Sequence, residues 1–133
     1  MPEHIPSLPN SFFNSLNKLS FQEIALAVAK NIIGDDIPST ELQRIVDHTT
    51  QFDAPLVPIE DGIFSLELFH GPTLAFKDFG ARFLSGLLGY FAQQQEREIT
   101  ILVATSGDTG SAVANGFLNV PGTRVIEIGR AHV

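Results

Sequence analysis

The sequence predicts an α/β chain, a helical N-terminal segment followed by an α/β layer built on parallel strands. Three observations predict it. Helical periodicity with matched caps dominates the early residues. A nearly unbroken apolar run, ITILVA (Ile99 to Ala104), reads as a strand buried on both faces of a parallel sheet. From Phe64 onward the order is strand–loop–helix–strand–loop–helix–strand, the alternation of an α/β layer.

Taken in order, Pro2, Pro6 and Pro9 make the start irregular. SFQEIALAVAKNIIG then reads as a helix: Ser20 caps it, Glu23 completes a capping box, and Gly34 suits its C-terminal stop. STELQRIVDHTTQF is a second helix behind Pro38, with Leu42, Ile45 and Val46 on one face. APLVPIEDG, broken by two prolines and a glycine, reads as a connection. FSLELF alternates as a strand, and after HGPT a helix runs to about Gln95. Its Phe76, Phe79, Phe83, Leu84, Leu87, Leu88 and Phe91 share a broad face expected to be core. Gly86 and Gly89 each cost that helix roughly 1 kcal/mol relative to alanine, which points to close packing. TSGDTG follows ITILVA, SAVANGFLN continues as a short helix, and TRVI opens a further strand.

Composition narrows the function. The 133 residues carry fifteen acids against eight bases, a net charge of −7, with no basic stripe. That argues against a nucleic-acid partner and against an anionic membrane surface. An acidic protein can still hold a locally positive pocket for an anionic small molecule. Absence of cysteine excludes disulfides and thiolate metal sites, and His4, His48, His70 and His132 show no paired metal-ligand spacing. MPEHIPSLPNSFF lacks the pattern of a secretory signal, and ALAVA and ITILVA are too short to span a bilayer. A cytoplasmic setting is expected.

Ligands of such sheets bind beyond the carboxyl ends of strands, where loops lead into helices. HGPTLAFK and TSGDTG both occupy such places, and neighbouring parallel strands are expected to bring them to one crevice. In TSGDTG, Gly107 and Gly110 let the backbone approach a ligand, while Thr105, Ser106 and Thr109 supply hydroxyls. The opening N–H groups of the following helix favour an anion. A glycine-rich turn with a capping hydroxyl accounts for the same six residues, and Asp108 would repel a nearby phosphate unless it points elsewhere. Lys77 reads either as a solvated surface residue or as an amine placed for chemistry. Apolar neighbours and a helix N-terminus both disfavour its charged form, and a neutral lysine is a nucleophile suited to an aldehyde. The chain has only two other lysines, Lys18 and Lys30. His70 is expected to be structural, and no nucleophile pairs with it as a triad would. Asp78 is expected to be solvated or helix-capping rather than a base beside Lys77, because adjacent helix residues diverge by about 100°.

Together, ELFHGPTLAFKDFGARFL and VATSGDTGSAVANGF resemble threonine synthases, pyridoxal-phosphate enzymes of the tryptophan-synthase-β structural class. The first segment resembles that family's cofactor-lysine motif and the second its Ser-Gly-Asp-Thr-Gly loop. Sister enzymes often carry asparagine where Asp108 stands, so the aspartate points to the threonine-synthase branch. The resemblance spans roughly Met1 to Ile126, more loosely in its N-terminal part. It implies a fold-type-II domain, incomplete here: residues 1–60 as the helical N-terminal segment and 61–126 as a partial PLP-dependent α/β domain. Lys77 would hold pyridoxal 5'-phosphate as a Schiff base and then shuttle protons. Asp108 would lie near the cofactor's ring hydroxyl, with Phe76 beside the cofactor. Thr105, Ser106 and Thr109 would bind substrate carboxylate or phosphate, with Gly107 and Gly110 permitting close approach. Gly71, Pro72 and Thr73 would shape the substrate side. The implied reaction converts O-phosphohomoserine and water to L-threonine and phosphate, the last step of threonine biosynthesis, with no metal.

Family members are several times longer and use a later glycine-rich loop for the cofactor phosphate and a later hydroxyl residue at the pyridine nitrogen. Met1 is expected to be an internal methionine. EIGRAHV, residues 127–133, is what a common sequencing-library adapter spells in one frame, and is expected to be a non-native tail. The isolated chain is therefore expected to be inactive. Two alternatives stay open: a non-catalytic stand-alone binding or regulatory module, and a related PLP-dependent phosphohomoserine lyase.

Overall fold

The computed structural model describes residues 6–96, 98–105 and 107–129. The chain divides into two compact units between Thr50 and Gln51.

The first unit is helical. A short α1 (Asn10–Ser15) and a 3-10 turn (Leu16–Lys18) stand where only irregular chain is expected from the prolines. Pro9 precedes α1, where its missing N–H costs no helix bond. α2 (Phe21–Ile33) starts as its sequence dictates. Glu23 N–H donates to the Ser20 hydroxyl oxygen, and Ser20 N–H donates to Glu23 Oε2 at 2.7 Å, a complete capping box. It stops at Gly34, whose φ of 63° lies in the left-handed region. α3 (Ser39–Thr49) packs on α2 and buries Leu42, Ile45, Val46 and Thr49, the face read from its periodicity. Gln22 Nε2 donates to the Thr50 carbonyl at 3.0 Å, satisfying a carbonyl just beyond the end of α3.

The Ser20 N–H and hydroxyl hold the Glu23 carboxyl below its ordinary value. A carboxylate stabilised this way contributes fully above its unfolded pKa, and the contribution is lost as pH falls through the lower folded one. Ser20→Ala is expected to cost about 1 kcal/mol of helix stability, the usual loss of an N-cap side chain. It should also flatten the acid dependence of helicity, which circular dichroism across the acid range measures. An unchanged acid profile would contradict the role given to the box.

The second unit opens with an antiparallel hairpin, β1 (Leu56–Glu60) and β2 (Ile63–Leu66), paired Leu56 to Leu66 and Pro58 to Phe64 with an irregularity between Pro58 and Glu60. This corrects two expectations. APLVPIEDG holds a strand rather than a plain connection, and β2 pairs with β1 rather than joining the parallel sheet. The signal was present: Asp61-Gly62 is a two-residue hairpin turn, with Gly62 at a φ of 76°. α4 (Lys77–Gln95) follows, then β3 (Ile99–Ala104), α5 (Asp108–Gly116) and β4 (Thr123–Ile128). β3 and β4 pair in parallel from Ile99–Thr123 to Ala104–Ile128, so Glu127 and Ile128 complete the ladder.

β3 is not buried on both faces. Val103 is buried, but Leu102 is 70% exposed, as are Ile128 at 62% and Ile126 at 40% on β4. Among the described residues this sheet has two strands, and nothing covers its second face. The inward stripe of α4 also differs from expectation. Its fully buried positions are Asp78, Ala81, Ser85, Gly89 and Ala92, while Leu84 and Phe76 are exposed. Close approach explains it: a Cβ on Gly116 of α5 would lie 3.0 to 3.1 Å from Ala81, and one on Gly89 would lie 2.6 Å from Val120. Backbones this near leave room only for small side chains. Among the described residues no helix is long and apolar enough to cross a membrane.

Candidate active site

Lys77 is the first residue of α4, and Asp108 the first residue of α5. Both sequence motifs thus end at helix N-termini, and the fold brings them together. Lys77 Nζ lies 3.5 Å from Asp108 Oδ1 and 4.7 Å from the centroid of the Phe76 ring. The amine is 35% exposed and its carboxylate partner 56%, so desolvation of Lys77 is partial. Asp108 also answers its own electrostatic difficulty: its charge meets both a lysine and the positive end of a helix.

Lys77 opens onto a cleft of about 510 Å³ lined by Phe76, Phe79, Ala81, Leu84, Thr109 and Val113, with Leu68 and Gly80. Its walls are mostly apolar, with an amine and a threonine hydroxyl at one side. Phe76, expected as core, is instead 57% exposed and forms part of that wall. Phe79 packs against Phe52 with ring centroids 4.4 Å apart.

Of the rest of the second motif, Thr105 and Gly107 lie between β3 and α5, and Thr109 and Gly110 are in the first turn of α5. Gly107 N–H donates to Thr105 Oγ1 at 3.2 Å, which occupies one acceptor site of that hydroxyl. Gly107 is the N-cap of α5 in extended conformation. Gly110 has no space for a Cβ, which would strike Thr105 Cγ2 at 2.6 Å and the Glu127 carboxylate. Ser106 lies outside the described residues, as do His4 and His132.

Gly71, Pro72 and Thr73 do not line the cleft. They form a loop tied down by Asp78. Asp78 is buried, at 0% exposure, where a solvated or capping side chain was expected. Its Oδ2 accepts the Thr73 N–H at 2.9 Å and its Oδ1 the Thr73 hydroxyl at 2.7 Å. Its neighbours one turn away and across the loop explain the burial. Gly71 presses on the carboxylate so closely that any Cβ there would collide with it. Arg82, four residues on, has its guanidinium pulled below the ordinary arginine value by burial, and the Asp78 charge opposes that shift. Arg82 Nη2 also donates to Gln51 Oε1 at 2.6 Å. His70 sits outside this cluster, its Nε2 2.7 Å from Glu67 Oε2 and its ring stacked on Phe69. That fits the structural role expected of it.

The donor set suits the aldehyde end of a pyridoxal-type cofactor: a partly exposed amine, an adjacent carboxylate and apolar walls for a flat ring. A family model described as threonine synthase N terminus matches residues 1–50. The chain is 41% identical over 125 residues to threonine synthase of Escherichia coli (strain K12), and 44% identical over 125 residues to that of Haemophilus influenzae. Each match takes in 94% of this chain and 29% and 28% of those proteins respectively. Among solved structures, PLP-bound threonine synthase from Brucella melitensis superposes with a TM-score of 0.92 at 35% identity, over 97% of this chain and 29% of that one. The E. coli enzyme gives 0.85 at 40% identity, over 95% and 29%. The chain therefore spans less than a third of the length of the relatives it matches.

Proposed function

We infer that this chain, homologous in sequence and in fold to an N-terminal region of threonine synthases, carries the lysine side of a threonine-synthase active site. The observation that supports this most is the 3.5 Å approach of Lys77 Nζ to Asp108 Oδ1 at the edge of an apolar cleft. The proposed reaction of the whole protein converts O-phosphohomoserine and water to L-threonine and phosphate. Bound pyridoxal 5'-phosphate would supply an electron sink for carbanions next to the substrate's amine-bearing carbon.

The residues of this chain have separable tasks in that reading. Lys77 would hold the cofactor through its aldehyde and, when the substrate amine takes its place, accept and return protons at Nζ. Asp108 would orient that amine and lie near the ring hydroxyl. Phe76 would exclude water from one wall. Thr105, Ser106 and Thr109, with the first N–H groups of α5, would bind the substrate's carboxylate or phosphate, and Gly107 and Gly110 would allow its close approach. Gly71, Pro72 and Thr73 would shape the substrate side as a tethered loop rather than as lining.

The test uses this chain alone. After incubation with pyridoxal phosphate and borohydride reduction, peptide mapping is expected to find the label predominantly on Lys77 rather than on Lys18 or Lys30. Equal labelling of all three lysines would sink the reading for this chain.

A further inference from the structure

We propose that Asp78 is a positioning residue for Lys77, tying the Gly71–Thr73 loop to the first turn of α4 so that the lysine amine is delivered to the cleft beside Asp108; the proposal rests on the reading of Lys77 given above. Asp78 is not among the residues that line the cleft, and both its carboxylate oxygens are taken up by Thr73, so it acts on Lys77 only through the backbone. What it does is close a short circuit of backbone. Leu74 N–H donates to the Gly71 carbonyl at 3.1 Å, Thr73 donates twice to the Asp78 carboxylate, and Asp78 N–H donates to the Ala75 carbonyl at 3.1 Å. Every residue between the loop and Lys77 is thereby bracketed by hydrogen bonds to a single buried side chain or its own backbone.

Strain in the circuit supports the assignment. Leu74 has a φ of 58°, in the left-handed region, and its side chain is 75% exposed. A non-glycine residue is strained there, and an exposed leucine recovers little of that by packing. Such a conformation persists only where the surroundings over-determine it. The Thr73–Asp78 bonds immediately before it, and the buried Ala75 immediately after it, provide that constraint. The strained residue lies three positions ahead of Lys77, so releasing the tie lets the entry to α4 relax and the amine drift from Asp108.

Competitive acetylation of the intact chain with limiting acetic anhydride reads this without any cofactor, as the rate at Lys77 relative to Lys18 and Lys30. The variants separate the tie from mere folding. Asp78→Ala removes it. Asp78→Asn keeps it, because the amide oxygen can accept the Thr73 N–H while the amide N–H donates to the Thr73 hydroxyl oxygen. In Asp78→Ala, with α4 shown intact by amide exchange, the Lys77 ratio is expected to change about twofold to fivefold, the range for an exposed ion pair. Asp78→Asn should restore the wild-type ratio. An unchanged ratio in folded Asp78→Ala, or an Asp78→Asn as altered as the alanine variant, overturns the proposal. Should Asp78→Ala not fold, Thr73→Val decides: it deletes only the hydroxyl bond, a shifted ratio supports the tie, and an unshifted one refutes it. The two readings fail separately. Unselective pyridoxal phosphate labelling of wild type with a shifted acetylation ratio removes the cofactor assignment and keeps Asp78. Selective labelling with no shift does the reverse.

Discussion

Replacing Lys77 with methionine should abolish reductive trapping of pyridoxal phosphate at position 77 and leave only background at Lys18 and Lys30. The expectation is all-or-none because an imine needs an amine, and methionine fills a similar volume with none. Lys77→Arg sharpens the experiment. A guanidinium keeps the positive charge, the ion pair with Asp108 and the contact with the Phe76 ring, yet it stays protonated and is not a nucleophile. Both variants are therefore expected to lose the label equally. If arginine retained selective retention of the cofactor, measured by absorbance after gel filtration, the attraction would be electrostatic and the covalent role of Lys77 would fail.

Leu42→Ala is the second large effect, and it acts on the helical unit alone. Leu42 is 1% exposed, and a leucine truncated in such a place costs about 2–5 kcal/mol, with the cavity adding to the lost transfer energy. The unit it belongs to has 50 residues. A domain that small buries a modest fraction of its surface and has little stability in reserve. Loss of most α2 and α3 helicity is therefore expected at temperatures where the wild type is folded, visible as a lowered thermal midpoint and as rapid proteolysis within residues 20–50. A midpoint matching wild type would mean that α3 does not hold the unit together.

Different parts of this molecule were legible to different depths, and the division follows the range of the interactions involved. The capping box at Ser20 and Glu23 could be read in advance because both hydrogen bonds join residues three apart. The buried face of α3 could be read because Leu42, Ile45 and Val46 share one side at helical spacing whatever packs there. The two site motifs are legible as segments suited to chemistry, and it is their resemblance to one enzyme family, not any local pattern, that links Lys77 to Asp108. The hairpin is harder to read although its Asp-Gly turn is a local signal, because Pro55 and Pro58 interrupt the strand pattern before that turn.

What the sequence by itself determined is where α2 begins and ends, which face of α3 is buried, and which two short segments hold residues suited to chemistry; the link between Lys77 and Asp108 is what the family resemblance implied. Only the tertiary structure decided which side of α4 faces inward. Phe76, Phe79, Phe83, Leu84, Leu87, Leu88 and Phe91 satisfy the periodicity of a buried face, but the close approach of Gly116 to Ala81 admits small residues alone, and Phe76 and Leu84 stand exposed on the cleft wall. The same holds for Asp78, a charged residue that no local pattern would bury. Its burial depends on a glycine and a threonine folding back over it from the preceding loop, and on an arginine one turn further along the helix. Local hydrogen bonds and spacing are written in consecutive residues, whereas burial is a property of what arrives from elsewhere.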